Sequence, residues 1–384
     1  MRILIVHTLY KVRGGEDSVV YNEAELLRSA GHEVSMLIFS NSRNTLLKVL
    51  QMPFNLSSYC EALRKINQFK PNVIHVHNLH FAGSPAVLYA AKKCRVPVVM
   101  TLHNYRLLCP SGTLFFREQI FDKSLNQLFP VDAVKKGVYQ NSKLITLWLA
   151  FSGMLHHIAG TWNIPNKYVV LGDNTKSLFE DSKLKSIASR MLVKPNFCFG
   201  GTPYQLTEDG YYVYVGRLSA EKGISVLLSV FSNSKLPLKI AGSGPMEATV
   251  KEAAARNSNI EFCGSLPAEE TRKLISGAKA LIFPSIWFET FGMVIIEAFS
   301  CGVPVIASAI GEARHLVTDN VNGFLFVPDY QKDLLARLDY FEALDKDALM
   351  KLRKGALKTY QDNYTPEMNL KELHYIYNAA LLSA

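Results

Sequence analysis

The sequence has few of the features that mark exported, disulfide-bonded or membrane-spanning proteins. It contains no CxxC pair, no low-complexity tract and no internal repeat, and its apolar runs fall short of the ~20 residues that cross a bilayer. The opening run "MRILIVHTLY" is too short for a signal peptide and predicts a first strand. Six cysteines are scattered along the chain. We therefore expect a cytoplasmic protein in a reducing compartment, without export.

The composition is that of a folded soluble protein, and its charge is unevenly divided. The 384 residues are 48% hydrophobic, 20% charged and 11% aromatic, and a chain of this length favours two domains. Residues 1–195 carry 24 Lys and Arg against 12 Asp and Glu, a net charge of +12. The totals of 42 and 33 leave 18 and 21 for the remainder, a net charge of −3. A basic half suits an anionic lipid, a phosphorylated substrate or nucleic acid, and a merely solvated surface is the alternative.

Two series of alternating strand and helix patterns predict an α/β fold with two parallel sheets covered by helices. The strand-like runs of the first series lie at 2–7, 33–40, 72–78 and 97–103, and those of the second at 211–216, 238–242, 259–264, 280–284 and 304–308. Helical patterns follow at 330–362 and 366–381. The predicted domains are 1–195 and 196–364, and we expect the helix within 365–384 to pack back on the first domain.

Ligands of parallel sheets bind beyond the carboxyl ends of the strands, and two glutamates follow the strand that ends at Pro284. In "PSIWFETFGMVIIEAFSCGVPVIAS", residues 284–308, we expect a helix from about Gly292 to Ser300, with Glu289 before it and Glu297 within it. The backbone amides that begin this helix belong to Gly292, Met293 and Val294, and they suit a phosphate. A capping Glu and a surface Glu are the alternative, but charged groups are rarely kept in apolar surroundings without a partner.

This stretch resembles the glutamate-x7-glutamate signature of the retaining nucleotide-sugar glycosyltransferases of family four, which have the GT-B fold of two Rossmann-like domains facing a cleft. The resemblance extends in order through "RGGED", "TLHNY", "VGRLSAEKG", "AGSGP" and "SIWFETFGMVIIEA". It implies that Glu297 holds the ribose hydroxyls of the donor nucleotide and that Glu289 holds the hydroxyls of the donor sugar.

"VGRLSAEKG" places Arg217 and Lys222 in the loop after a strand, where fixed cations would stabilise a departing diphosphate. The family resemblance gives both residues this role, and two solvated surface charges are the alternative. "AGSGP" contributes Gly242 and Gly244, which we interpret as a tight turn beside the nucleotide.

In the first half, Gly14 and Gly15 of "RGGED" would let the chain approach the donor phosphates, unless they form only a plain turn. The full GxGxxG pattern is absent, which argues against a nicotinamide-binding site. His103 of "TLHNY" follows a strand, and the resemblance implies that it contacts the transferred sugar in the cleft; a structural histidine is the alternative.

His75, His77 and His80 of "IHVHNLH" raise the question of a metal site. We predict none, because no carboxylate or cysteine is spaced along the sequence to complete it and the family does not require one.

Residues 131–165 combine lysines with a broken apolar run. Lys135, Lys136 and Trp148 lie in this segment, which is either an interfacial helix at an anionic membrane or an ordinary buried helix.

Together with these features, the family resemblance implies a retaining, metal-independent GT-B glycosyltransferase without a cofactor. It would move a sugar from UDP or GDP to a glycan or lipid-linked acceptor of bacterial envelope polysaccharide or glycolipid synthesis, at the inner face of the membrane, without binding nucleic acid. A nucleotide-sugar epimerase of the same fold would need no acceptor, and a non-catalytic nucleotide-sugar-binding subunit would turn nothing over. The glutamate pair, Arg217, Lys222 and His103 argue against such a subunit.

Overall fold

The computed structural model describes residues 1–9, 15–41, 49–201 and 210–383. The chain divides into two compact units. Unit 1 comprises Met1–Phe116, Phe121–Asn196 and Asn369–Ala384, and unit 2 comprises Arg117–Ile120 and Phe197–Met368. Within the described ranges, no helix combines the length and apolarity that a membrane crossing needs.

Unit 1 is built on a six-stranded parallel sheet with the order β2-β1-β3-β4-β7-β8. Its strands are β1 (Arg2–Leu9), β2 (Glu33–Ser40), β3 (Val73–Val76), β4 (Val98–Leu102), β7 (Lys167–Val170) and β8 (Met191–Val193). Two very short strands, β5 (Phe115–Phe116) and β6 (Gln119–Ile120), lie outside this sheet. The central strands β3 and β4 are buried along their whole length, as expected where helices cover both faces of a parallel sheet.

The helices of the first part of the chain are α1 (Gly15–Ser29), α2 (Leu56–Phe69), α3 (Ala86–Lys93), α4 (Val131–Lys136), α5 (Lys143–Ile158), α6 (Asp173–Glu180) and α7 (Lys185–Ala188). Helix α1 buries Val20, Ala24 and Leu27 against the apolar face of the sheet, which follows from their spacing of three and four residues. The core of unit 1 therefore lies between α1 and strands β1, β3, β4 and β7.

Unit 2 repeats this architecture with a six-stranded parallel sheet of order β11-β10-β9-β12-β13-β14. Its strands are β9 (Tyr211–Val215), β10 (Leu238–Ala241), β11 (Ile260–Gly264), β12 (Ala278–Phe283), β13 (Val305–Ser308) and β14 (Gly323–Phe326). Its helices are α8 (Ile224–Ser232), α9 (Glu247–Arg256), α10 (Ala268–Ser276), α11 (Met293–Ser300), α12 (Ala313–Leu316), α13 (Gln331–Glu342) and α14 (Lys346–Asn363).

The last helix, α15 (Pro366–Leu381), returns to unit 1. Its buried side chains Leu373, Ile376, Tyr377 and Ala380 join the core around β1 and β3. The predicted fold class, with two parallel-sheet units and a returning C-terminal helix, is confirmed.

Strand order reverses in both sheets, between β1 and β3 in unit 1 and between β9 and β12 in unit 2. At such a switch point the loops that follow the two strands run in opposite directions and leave a crevice. In unit 2, the "VGRLSAEKG" loop follows β9 and the loop with Glu289 follows β12, so the topology brings these two motifs together.

Candidate active site

An ion pair links the two loops at the switch point of unit 2. The Lys222 ammonium donates to Oε1 of Glu289, and its Nζ lies 5.3 Å from the centre of the Trp287 ring. Two further groups donate to the same oxygen, Ser285 Oγ at 3.0 Å and Trp287 Nε1 at 2.8 Å. No described residue donates to Oε2 of Glu289. The carboxylate is therefore held firmly by one oxygen and can accept hydrogen bonds from a ligand with the other.

Glycine permits the close packing of these loops. Gly223 has φ = 71°, and a Cβ at this position would lie 1.8 Å from the carbonyl oxygen of Pro284, the residue after β12. Only glycine combines this left-handed conformation with so close an approach. The Lys222–Glu289 pair thus depends on the residue that follows Lys222.

Helix α11 begins after Gly292 as the sequence predicts. Gly292 has φ = 113° and provides no side-chain cap to the helix. The amide of Ile295 is satisfied by the Gly292 carbonyl at 3.0 Å. Gly292, Met293 and Val294 form the positive end of the helix dipole beside the Glu289 loop, where an anionic ligand is stabilised.

Glu297 lies in the second turn of α11 and is only partly exposed. Burial raises the pKa of its carboxyl, and the positive charge of Arg272 on α10 lowers it in part. The desolvation of the charged Glu297 carboxylate is therefore only partly compensated by Arg272. A buried carboxylate of this kind is stabilised by hydrogen-bond donors, which a vicinal diol provides. The sequence interpretation missed Arg272, which occupies a helix pattern without any ligand-binding motif.

Arg217 lies exposed after β9, with its backbone carbonyl accepting from the Tyr214 hydroxyl at 2.8 Å. The structure gives Gly242 and Gly244 a packing function. A Cβ on Gly242 would lie 1.8 Å from the carbonyl oxygen of Gly216, and a Cβ on Gly244 would lie 2.5 Å from that of Leu218. These two glycines hold the loop after β10 against the loop that carries Arg217.

In unit 1, His103 belongs to a buried chain of polar groups that begins at Glu23 of α1. Glu23 Oε1 lies 3.1 Å from His75 Nδ1 and 3.4 Å from His77 Nε2. His77 Nδ1 in turn lies 3.0 Å from His103 Nε2, and the two rings stack. Lys194 Nζ contacts the other oxygen, Glu23 Oε2, at 3.2 Å.

The surroundings of Glu23 and the histidines set the charges of these groups. Although burial raises the pKa of Glu23, the charges of Lys194 and His75 hold it well below its usual value, so Glu23 is ionised and can only accept. Burial lowers the pKa of His77 to about 3, so its ring is neutral. His77 Nδ1 and His103 Nε2 share one hydrogen bond, and its direction is set by the tautomers of the two rings. Burial, with His77 beside it, also holds the pKa of His103 well below its usual value.

Glu23, His75 and His77 could together offer three ligand atoms to a metal ion. The sequence argument against a metal, that no carboxylate or cysteine is spaced along the sequence to complete the site, overlooks Glu23, because the packing of α1 on the sheet brings this carboxylate to His75 and His77. The ammonium of Lys194 opposes a cation, since it already contacts the carboxylate that a metal would need. His80 lies apart from this group, 3.3 Å from the Tyr139 hydroxyl.

A cavity of about 110 Å³ opens beside His103 within unit 1. Its walls are largely apolar and include Met100, Leu149 and Trp162. Two cations also line it, Arg106 and Lys183. Burial lowers the pKa of Lys183, which donates to the backbone carbonyl of Gln127 at 3.0 Å. The cavity therefore suits a ligand with an apolar body and an anionic group.

The remaining predicted residues of unit 1 are separate from this cavity or only partly described. Gly15 is the exposed first residue of α1, and Gly14 lies outside the described residues. Lys135 and Lys136 are exposed at the end of α4. Trp148 is half-buried and donates its indole N–H to the Val49 carbonyl at 2.6 Å, so it packs inward from α5.

Comparison with known proteins shows which family the chain resembles. The model of Glycosyltransferase Family 4 matches residues 13–130, and the model of Glycosyl transferases group 1 matches residues 204–359. The O-antigen chain mannosyltransferase C of Escherichia coli is 30% identical over 135 residues, which are 34% of this chain and 36% of that protein. The chain covers 33% to 63% of the length of the first four curated relatives that it matches.

Solved structures show the same fold. Sucrose-phosphate synthase from Thermosynechococcus elongatus aligns over 100% of both chains with a TM-score of 0.72 at 17% identity. Anabaena HepE in complex with UDP-glucose aligns over 98% of this chain and 100% of its own with a TM-score of 0.66 at 16% identity. The fold defines the GT-B class. Because family models of glycosyltransferases match both halves, the chain belongs to the GT-B glycosyltransferases of the family-four type.

Proposed function

We propose that the protein transfers a sugar, with retention at the anomeric carbon, from a nucleoside diphosphate sugar to a glycan or lipid-linked acceptor. The observation that carries the proposal is the constellation at the switch point of unit 2. There Lys222, the half-satisfied carboxylate of Glu289 and the start of α11 meet at the carboxyl ends of paired strands. Cations, an oriented acceptor and helix amides are the groups that a diphosphate sugar requires.

Each group has a role in this proposal. Arg217 and Lys222 bind the diphosphate and stabilise the charge that grows on it, in place of a metal ion. Glu289 Oε2 accepts from the hydroxyls of the donor sugar, and Glu297 accepts from the ribose. His103 supports the reacting sugar from unit 1, as the family resemblance implies.

The reaction requires no enzyme nucleophile. The acceptor oxygen forms a bond to the anomeric carbon as the bond from that carbon to the diphosphate oxygen breaks. The diphosphate leaves with the electron pair and takes the acceptor's proton on its departing oxygen. Attack and departure on the same face of the sugar give retention.

The comparisons support the choice of substrates. HepE is solved with UDP-glucose, and the relative from Escherichia coli is named for mannosyl transfer to an O-antigen chain. We therefore infer a UDP or GDP sugar as donor and a polymer or glycolipid of the bacterial envelope as acceptor. The six cysteines are all free, which supports a cytoplasmic location.

The test is a calorimetric titration with UDP, GDP and their sugars, followed by product analysis with the donor that binds. Wild-type protein should bind one nucleotide series and hydrolyse or transfer its sugar in the presence of EDTA. Lys222→Met should reduce donor affinity at least about tenfold, because one charge-assisted contact contributes about 1.5–3 kcal/mol. The matched control is Lys251→Met, an exposed lysine of α9 that pairs with its helix neighbour Glu247 and lies over the Phe262 ring.

Three results would contradict the proposal. Interconversion of the donor sugar without an acceptor would identify an epimerase. Binding without turnover over a panel of acceptor glycolipids would identify a binding subunit. Loss of activity in EDTA that manganese restores would show that a metal, rather than the cations, stabilises the diphosphate.

A further inference from the structure

Helix α5 presents an apolar stripe on the surface of unit 1. The stripe consists of Leu144, Leu147, Phe151, Leu155 and Ile158, whose spacings of three and four residues place them on one helix face. All five are exposed, Leu144 by 80% and Ile158 by 66%. Apolar residues scattered singly on a surface are ordinary, but a contiguous row of five marks an interaction surface.

The segment of residues 49–52, which lies beside α5, widens this surface. The Trp148 indole donates to the carbonyl of Val49, and Met52 packs against the same small core as Trp148, so residues 49–52 lie beside α5. Leu50 in this segment is also exposed. The inward-facing Trp148 therefore anchors the segment, while the stripe remains on the outer face.

The charges around the stripe indicate what covers it. Helix α5 contains no Asp or Glu and starts with Lys143, and α4 ends with Lys135 and Lys136; all three lysines are exposed. A second copy of the chain seated on this face would bring these like charges together, which is unfavourable. An anionic lipid surface would satisfy both the lysines and the apolar row.

We propose that the α5 stripe, with Lys135, Lys136 and Lys143, docks unit 1 on an anionic lipid bilayer. The helix would lie with its axis in the membrane plane and its apolar row in the headgroup region. Docking on the stripe is independent of the chemistry in unit 2.

The opposite face of α5 shows what such docking would achieve. Leu149, Ser152 and His156 are buried and line the cavity beside His103. One helix thus separates the docking face from a cavity with apolar walls and two cations. The docking proposal deepens the proposed function. It rests on that function for one point, that the acceptor is a lipid-borne anion that enters the cavity from the bilayer.

The experiment is co-sedimentation with two kinds of vesicle, one that contains phosphatidylglycerol and one of phosphatidylcholine alone. Wild-type protein should bind the first kind and not the second, and added salt should weaken the binding. Leu144→Gln with Ile158→Gln should lower the partition coefficient about tenfold, since glutamine keeps the helix but not the apolar contact. Lys135→Glu with Lys136→Glu should lower it by a similar factor or more.

The matched control lies on α13 of unit 2, where Leu335 and Tyr340 are exposed by 40% and 51%. Leu335→Gln with Tyr340→Gln should leave vesicle binding unchanged. As a direct reporter, Phe151→Trp should add fluorescence that brominated lipids quench, whereas Leu335→Trp should not.

Equal binding to both vesicles, binding to neither, or equal loss in the α5 and α13 variants would overturn the proposal. A dimer in sedimentation velocity that Leu144→Gln with Ile158→Gln disperses would assign the stripe to a second copy.

Donor titration separates the two proposals. Stripe variants should keep wild-type nucleotide affinity, and their loss of it would make the stripe structural. Vesicle binding by a wild-type protein that binds no nucleotide would contradict the proposed function alone.

Discussion

Glu297, which we propose binds the ribose, opposes the stability of the fold at neutral pH. Its carboxyl has a raised pKa because burial penalises the charge, and Arg272 compensates only in part. Since the folded protein holds this proton more tightly than the unfolded chain, stability falls as pH rises from the unfolded pKa through the folded one. At neutral pH the folded protein carries the full penalty.

Glu297→Gln should therefore raise the melting temperature at pH 7 and lower donor affinity. The stability gain should disappear below about pH 4, where the carboxyl is protonated in both states. Affinity should fall about tenfold with the loss of a charge-assisted hydrogen bond. Thermal melts at both pH values and calorimetry measure the two effects. Glu261→Gln, at an exposed carboxylate paired with Lys239, is the control. A variant that binds donor normally would remove Glu297 from the site.

In unit 1, the charge of a buried carboxylate is compensated by an ion pair between Glu23 and Lys194. Glu23→Gln would leave the Lys194 ammonium buried without its partner, and Lys194→Met would leave the carboxylate. Each single change should destabilise the protein by about 3–5 kcal/mol, and the double variant should recover much of the loss. Urea denaturation of the three variants gives the coupling energy. Additive losses would show that the two charges act independently.

At the scale of elements, the contact between the loops after β9 and β12 depends on Gly223. Gly223→Ala should destabilise unit 2 and weaken donor binding, because the new Cβ would lie 1.8 Å from the Pro284 carbonyl and displace the Glu289 loop. Gly264 is a matched control with the same φ of 71° and nothing within 4 Å of a Cβ. Gly264→Ala should cost only about 1–2 kcal/mol of backbone strain and leave donor affinity unchanged. Equal effects of both substitutions would contradict a special role for the loop contact.

The sequence predicts the elements with strong local signals and misses those that depend on tertiary contacts. Helix α11 is predicted from the helix-compatible run that follows Gly292 and from Gly302 and Pro304, which stop it. Strands β7, β8 and β14 are missed. Their length of three or four residues does not by itself explain this, because β10 and β13 have four residues each and are predicted. Glu23 lies in an amphipathic helix with no motif, and only the packing of α1 on the sheet brings it to His75 and His77. Loop motifs are visible in a sequence because glycine and charge stand out there, whereas a buried carboxylate on a helix does not.

At the scale of the whole molecule, segments that are far apart along the chain belong to the same unit. The chain leaves unit 1 at Asn196, builds unit 2, and then adds its last helix to unit 1. Helix α15 places Leu373 and Tyr377 in the core of unit 1, and the Tyr377 hydroxyl lies 2.8 Å from His75 Nδ1. The final segment therefore stabilises the unit with the histidine network, although it follows the unit that carries the glutamate pair.

Because the last helix packs on unit 1, the same Leu→Ala substitution should destabilise unit 1 at Leu373 and unit 2 at Leu334. Leu373 of α15 and Leu334 of α13 are both fully buried, the first in the core of unit 1 and the second in that of unit 2. Leu373→Ala and Leu334→Ala should each cost about 2–5 kcal/mol, because both leave a cavity. Native-state hydrogen exchange read by mass spectrometry should show Leu373→Ala accelerating exchange in β1 and β3, and Leu334→Ala accelerating it in β9 and β14. Donor affinity should survive Leu373→Ala. Acceleration of β9 and β14 by Leu373→Ala, with β1 and β3 unaffected, would contradict the assignment of the last helix to unit 1.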